Sequence, residues 1–129
     1  MAPRLLALVL PVAFLASVCS PARAVTEADF HVRTVGDLVD LCTAASNDPM
    51  MTAAANFCEG FAVGVYQTLS EEQPALRHRL FCAPEPPPTR NQAIADFTAW
   101  AKANPAVMSE PPADGILHYL SQRYPCASR

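Results

Sequence analysis

Four stretches of this chain repeat apolar residues at the i, i+3, i+4 spacing of a helix buried on one side, and strand-like alternation is almost absent. The first opens with a capping-box pattern at Thr34 and Asp37 and sets Val35, Leu38, Val39, Cys42 and Ala45 on one face before stopping near Asn47. Asp48 is then placed to cap a second helix, with Pro49 at its first position, where a missing N–H costs nothing. Its stripe of Met50, Ala54, Phe57, Cys58, Phe61, Val65 and Leu69 predicts the longest element of the chain. Ser70-Glu71-Glu72-Gln73 repeats the capping-box pattern, and with Pro74, Leu76, Leu80 and Phe81 it predicts one or two further turns.

Cys82-Ala83-Pro84-Glu85-Pro86-Pro87-Pro88 reads as a stiff, extended connector, because successive prolines lack donors and fix φ. Thr89 to Gln92 opens a third helix burying Ala93, Ile94, Phe97, Trp100 and Ala101, and Asn104-Pro105 closes it. After a loop of Ala106 to Glu110, Pro111-Pro112 opens a fourth with Ala113, Ile116, Leu117, Leu120 and Tyr124, ended by Pro125. Each stripe can be buried only against another helix, so the expected fold is all-α, a small four- to five-helix bundle-like domain. Its expected core is Phe57, Phe61, Ile94, Phe97, Trp100, Leu117 and Leu120, each contributing roughly 1.5–3 kcal/mol if fully buried.

The N-terminus changes the setting of this domain. Arg4 precedes an apolar run from Leu5 to Val18, too short to span a bilayer, and Ala22-Arg23-Ala24 supplies the small residues a leader peptidase requires. Residues 1–24 are therefore expected to be a signal peptide, and residues 25–129 the exported domain. A lipid anchor on Cys19 would need a small residue where Val18 stands. Loss of Arg4 and Arg23 moves the formal charge from -3 to -5, which argues against nucleic acid or an anionic membrane as partner.

Cleavage also leaves Cys42, Cys58, Cys82 and Cys126, an even number in a short exported chain. Zinc would need clustered ligands, whereas successive cysteines here lie 16, 24 and 44 positions apart. Two disulfides are expected, and four cysteines permit three pairings. In an up-and-down bundle Cys42 and Cys58 lie toward one end and Cys82 and Cys126 toward the other, which favours pairing within each couple.

Candidate chemistry is sparse. His31, His78 and His118 have no metal-ligand spacing and no glutamate pair beside them, and paired cysteines cannot supply an attacking thiolate. No phosphate loop or G-x-S-x-G is present, and Trp100 at helical spacing reads as core. No catalytic residue, metal or cofactor is therefore expected. Two features suit binding instead: Gly60 and Gly64, a G-x-x-x-G pair that lets a second backbone approach, and Glu71, Glu72 and Gln73 beyond the long helix. The bland readings are packing within the chain for the first and a solvated face for the second.

Taken together, Cys58-Glu59-Gly60-Phe61-Ala62-Val63-Gly64-Val65, Phe81-Cys82-Ala83-Pro84, Pro88-Thr89-Arg90-Asn91-Gln92 and Leu120-Ser121-Gln122-Arg123-Tyr124-Pro125-Cys126 resemble the Rap/Tai family of type VI secretion immunity proteins. The order and spacing agree from about Asp37 to Cys126. Two departures are Phe61, where the family has tyrosine, and the run Pro86-Pro87-Pro88. The resemblance implies a periplasmic, often dimeric protein that binds a peptidoglycan amidase effector and blocks its groove. The competing reading is a periplasmic acid-stress chaperone. Such a protein should be rich in lysine, and Lys102 is the single lysine here.

Overall fold

The computed structural model describes residues 23–127. Residues 1–22 of the expected signal peptide lie outside the described residues. The domain consists of four α-helices, α1 (Val35–Cys42), α2 (Met51–Glu72), α3 (Arg90–Ala103) and α4 (Pro112–Arg123). Short 3-10 turns at Glu27–Phe30, Gln73–Ala75 and Pro105–Ser109 join or precede them. The all-α expectation holds, and no strand occurs among the described residues.

The shortest helix is the hub. Thr34 Oγ1 accepts a bond from the Asp37 N–H at 3.2 Å, and Asp37 Oδ2 accepts the N–H groups of Thr34 and Arg33, each at 2.9 Å. These bonds stabilise the ionised carboxylate, the Arg33 N–H most of all, and hold Asp37 below the usual carboxylate range. On α1, Val35, Leu38 and Val39 are fully buried against Phe81, Phe97, Ala101, Ile116, Tyr119 and Leu120. The helix ends at Cys42 and not near Asn47, because Thr43 turns its hydroxyl back onto the Val39 carbonyl at 2.8 Å. Ala45 therefore leaves the helical face and joins a turn, its carbonyl accepting the Asp48 N–H at 2.9 Å.

The second helix also starts later than the cap pattern suggests. Asp48 Oδ1 accepts the Met50 N–H at 2.8 Å, two residues on, and its carbonyl accepts the Met51 N–H at 3.1 Å. Pro49 thus sits in a turn, and α2 begins at Met51. At the other end α2 runs straight through Ser70 to Glu72. Ser70 does not cap a new helix, and its hydroxyl is buried without a partner among the described residues. The helix stops where Pro74 can donate no backbone bond. Only the three-residue turn Gln73–Ala75 stands in place of the expected short helix.

The connector after Phe81 is extended, with a bend at the cis Glu85–Pro86 peptide, and it is tied to the chain end by the Cys82 N–H on the Tyr124 carbonyl at 2.8 Å. Thr89 Oγ1 caps α3 through the Gln92 N–H at 3.3 Å, and the Asn104 side chain closes it on the Trp100 carbonyl at 2.7 Å. The expected loop at 106–110 is instead the 3-10 turn Pro105–Ser109, after which the Glu110 carbonyl accepts the Val35 N–H at 2.9 Å.

Of the expected core, Phe97 and Leu120 are buried, whereas Phe57, Phe61, Ile94, Trp100 and Leu117 are half-buried; Ala113, on the expected stripe of the fourth helix, is exposed. The 22-residue α2 buries fully only Ala54 and Cys58. It lies mainly on α1, which is too short to cover it. The disulfides are Cys42–Cys58 and Cys82–Cys126, with Cα–Cα distances of 5.2 and 5.0 Å. This is the favoured pairing of the three. One bond clamps α1 to α2, and the other clamps the connector to the tail after α4.

Candidate partner-binding surfaces

The long helix brings the two candidate binding features onto one element. Ala53, Asn56, Gly60, Gly64, Gln67 and Glu71 follow one another at helical spacing, and all are exposed. A Cβ built at Gly60 or Gly64 meets nothing within 4 Å among the described residues. Packing within the chain therefore gives no reason for either glycine, although each lowers helix stability by about 0.8–1 kcal/mol relative to alanine.

Glu71 and Glu72 form the last turn of α2 and are exposed. No basic residue shares that turn, so both carboxylates face the negative end of the helix dipole, an arrangement that costs roughly 0.3–1 kcal/mol per charge. Gln73 plays a different part. Its Oε1 accepts the N–H groups of Leu80 and Phe81 at 2.9 and 3.0 Å, which draws the two ends of residues 74–80 together. Phe81, 2% exposed, and the Cys82–Cys126 bond then anchor the exit of the loop.

That loop is basic at its tip. Pro74 to Arg79 are all exposed, Leu76 is 46% exposed, and Arg77-His78-Arg79 follows it. The acidic pair thus lies on the helical stem, beneath a cationic tip. The expected one or two helical turns here are instead this exposed loop, and its signal in the sequence is the run Arg77-His78-Arg79 between Pro74 and Pro84.

The histidines do not assemble with the cysteines. His31 and His78 are exposed, and His118 Nδ1 lies 2.9 Å from Glu110 Oε2, a carboxylate neighbour that sequence spacing did not reveal. Trp100 stacks on Phe97 at 6.3 Å and donates its indole N–H to Gln122 Oε1 at 3.1 Å, a structural use. An apolar cleft of about 250 Å³ separates α2 from α3 and α4, with Tyr66, Pro84, Pro88, Ile94, Phe97 and Tyr119 among its walls. Burial pushes the Tyr119 phenol well above the usual tyrosine range, with Tyr124 adding to the effect. Among the described residues no group of three His, Cys, Asp or Glu side chains could hold a metal ion, and no helix is long and apolar enough to cross a membrane.

These features define a small, disulfide-clamped helical domain with an exposed stripe along α2 and an exposed loop beyond it. The family model of the Rap1a immunity proteins matches residues 34–126, from the α1 cap to the last cysteine, and the chain belongs to that family. Membership points to immunity against a type VI secretion effector. Comparison with curated proteins and with solved structures finds no match.

Proposed function

We propose that this protein is a periplasmic immunity protein, without catalysis of its own, that neutralises a peptidoglycan amidase effector of type VI secretion by filling its substrate groove. Family membership supports the immunity role. The amidase target and the periplasmic setting follow from the resemblance and the leader. The observation that carries the contact surface is the placement of Glu71 and Glu72. Helix stability gives no reason for two carboxylates there, which favours a use in contact.

The groove-filling element is the end of α2 with the loop it supports. The two Gln73 bonds and the Cys82–Cys126 clamp hold this loop in shape before any encounter, so little entropy is lost on binding. Leu76 provides the apolar anchor at the tip, while Glu71 and Glu72 meet a basic rim and act mainly on the association rate. The exposed Gly60 and Gly64 face is the homodimer contact, where two copies of α2 approach closely.

The test is association kinetics against a candidate type VI amidase from the same genome, at two salt concentrations. Lysine at both Glu71 and Glu72 should slow association, and more so at low salt. Leu76→Asp should speed dissociation. Unchanged rates in both variants remove this element from the contact, and failure of the wild-type protein to bind or inhibit any such amidase overturns the immunity reading.

A further inference from the structure

Ahead of the first 3-10 turn, the backbone nitrogen of Val25 donates to Asp48 Oδ2 at 2.7 Å. This is a long-range contact, 23 positions apart, and both residues are half-buried. The Asp48 carboxylate is held for it. Its other oxygen accepts the Met50 N–H at 2.8 Å, its own N–H donates to the Ala45 carbonyl, and its carbonyl accepts the Met51 N–H. The acceptor is therefore fixed in the turn between α1 and α2.

In the uncut chain the Val25 donor is a neutral amide. Hydrolysis of the Ala24–Val25 peptide bond consumes one water, leaves a carboxylate on Ala24 and turns the Val25 nitrogen into a primary α-amine. That amine has a free pKa of about 8 and is protonated at neutral pH. We infer that Asp48 is the built-in acceptor for the N-terminus created by leader removal, so that cutting converts a hydrogen bond from a neutral amide into an ion pair that fastens the new end of the chain to the α1–α2 turn. The inference rests on the leader being cut after Ala24.

The sequence on either side of the cut fits this exchange. Before cutting, Arg23 lies 3.4 Å from Asp29 but is 78% exposed, a weak surface pair that leaves with the leader. After cutting, the replacement cation sits in a more sheltered place than the Arg23 pair, where its charge adds to a bond whose acceptor is already ionised and is screened less by salt. The chain then runs into the turn Glu27–Phe30, where Phe30 meets Phe57 of α2 edge-on at 5.5 Å. The new N-terminus and Phe30 thus hold one short segment across the start of α2 at two points.

The experiment uses the full chain exported through its own leader, and three variants. One has a serine inserted between Ala24 and Val25, which keeps Ala22 and Ala24 at the cut and moves the ammonium off Val25 by one residue. The second is Asp48→Asn, and the third combines both. Intact mass first fixes each N-terminus, and urea unfolding then measures stability. The insertion should lower the folding equilibrium constant about three- to tenfold in the wild-type background, and should have little effect once Asp48 is asparagine. An equal loss in both backgrounds, or no loss in either, overturns the ion pair. A mass showing a start other than Val25 in the wild type overturns the cut itself, and is read independently of the stability data.

Discussion

Replacing Gly115 with alanine separates two opposing effects that the structure assigns to different glycines of this fold. Within a helix the substitution should stabilise by about 0.8–1 kcal/mol, because glycine has more backbone freedom to lose. At Gly115, however, an added Cβ would overlap Val35 Cγ2 and approach Val35 Cβ at 3.5 Å and Cγ1 at 3.7 Å. Val35 is completely buried at the first turn of α1, and its β-branched side chain has few rotamers to retreat into. Relief must come from α4 withdrawing from α1, which loosens Ile116, Tyr119 and Leu120 as well. Overpacking of this kind costs about 1–3 kcal/mol, and the full overlap places this case at the upper end. The net result is a destabilisation of about 1–2 kcal/mol, or a fall in Tm of roughly 5–15 °C for a domain of this size. Urea midpoints of the monomer at high dilution supply the assay, with Gly60→Ala as the matched control, since within one chain open space at Gly60 leaves only the favourable helix effect. Val35→Ala opens the contact, so Gly115→Ala in that background should be neutral or stabilising. A raised midpoint for Gly115→Ala in the wild-type background would refute the reasoning.

Four other variants bear on different parts of the fold. Gly64→Leu meets no clash within the chain, so it should stay folded and, on the proposed dimer face, shift the molecule to monomer by light scattering; an unchanged mass would remove α2 from the interface. Loss of Cys82–Cys126, which closes 44 positions, should cost about 4 kcal/mol against about 3 kcal/mol for Cys42–Cys58, which closes 16, as read from denaturant titrations of the paired Cys→Ala variants. The Asp37 carboxylate has its pKa depressed on folding, so its contribution is present above the unfolded value of about 3.9 and is lost as pH falls through the lower folded one. Asp37→Asn should therefore lower stability at neutral pH by about 1 kcal/mol and flatten the acid limb of a stability-pH curve; an unaltered limb would assign the acid loss to other carboxylates.

Periodicity reads well where a stripe is long and the cap is unambiguous. Thr34, Thr89, the Asn104 stop and the Pro111-Pro112 start all stand where the pattern puts them, since each is decided by bonds within one turn. The pattern fails where two local solutions compete. Asp48 can cap a helix directly or make a turn two residues ahead of one, and the ladder at Ser70 can break or continue; tertiary contacts choose in each case. The amount of burial was misjudged for a related reason. A stripe says which side of a helix faces inward, but not how much protein lies there. Phe57 and Phe61 face a partner helix of eight residues and stay half-exposed, while Tyr119, outside the expected stripe, is 4% exposed because α3 and the chain end cover it. On the candidate binding surfaces, Glu71, Glu72 and the glycine pair are legible as residue types. The loop that Gln73 ties shut was not, because its bonds to Leu80 and Phe81 span seven and eight positions with no periodic signature.

The mismatch between α1 and α2 links stability to function. At 22 residues α2 extends about 33 Å, while the eight residues of α1 cover about 12 Å of it. A helix so thinly covered needs other attachments, and the Cys42–Cys58 bond supplies one near its N-terminal third. Phe30 on Phe57 adds a second on the same stretch, as does the ion pair of Arg90 with Glu59 at 3.4 Å. The C-terminal half of α2 packs Ala62, Val65 and Leu69 against the core on one side and turns Gly64, Gln67 and Glu71 to solvent on the other. The second disulfide returns the chain to the body of the domain just past the loop beyond α2. Substitutions on the exposed stripe from Gly60 to Arg79 should accordingly alter binding at little cost in folding, whereas those around Val35, Gly115 and Phe81 should do the reverse. If the stripe is the contact surface proposed above, this separation lets a domain with a small core keep its fold while that surface changes to match a particular effector.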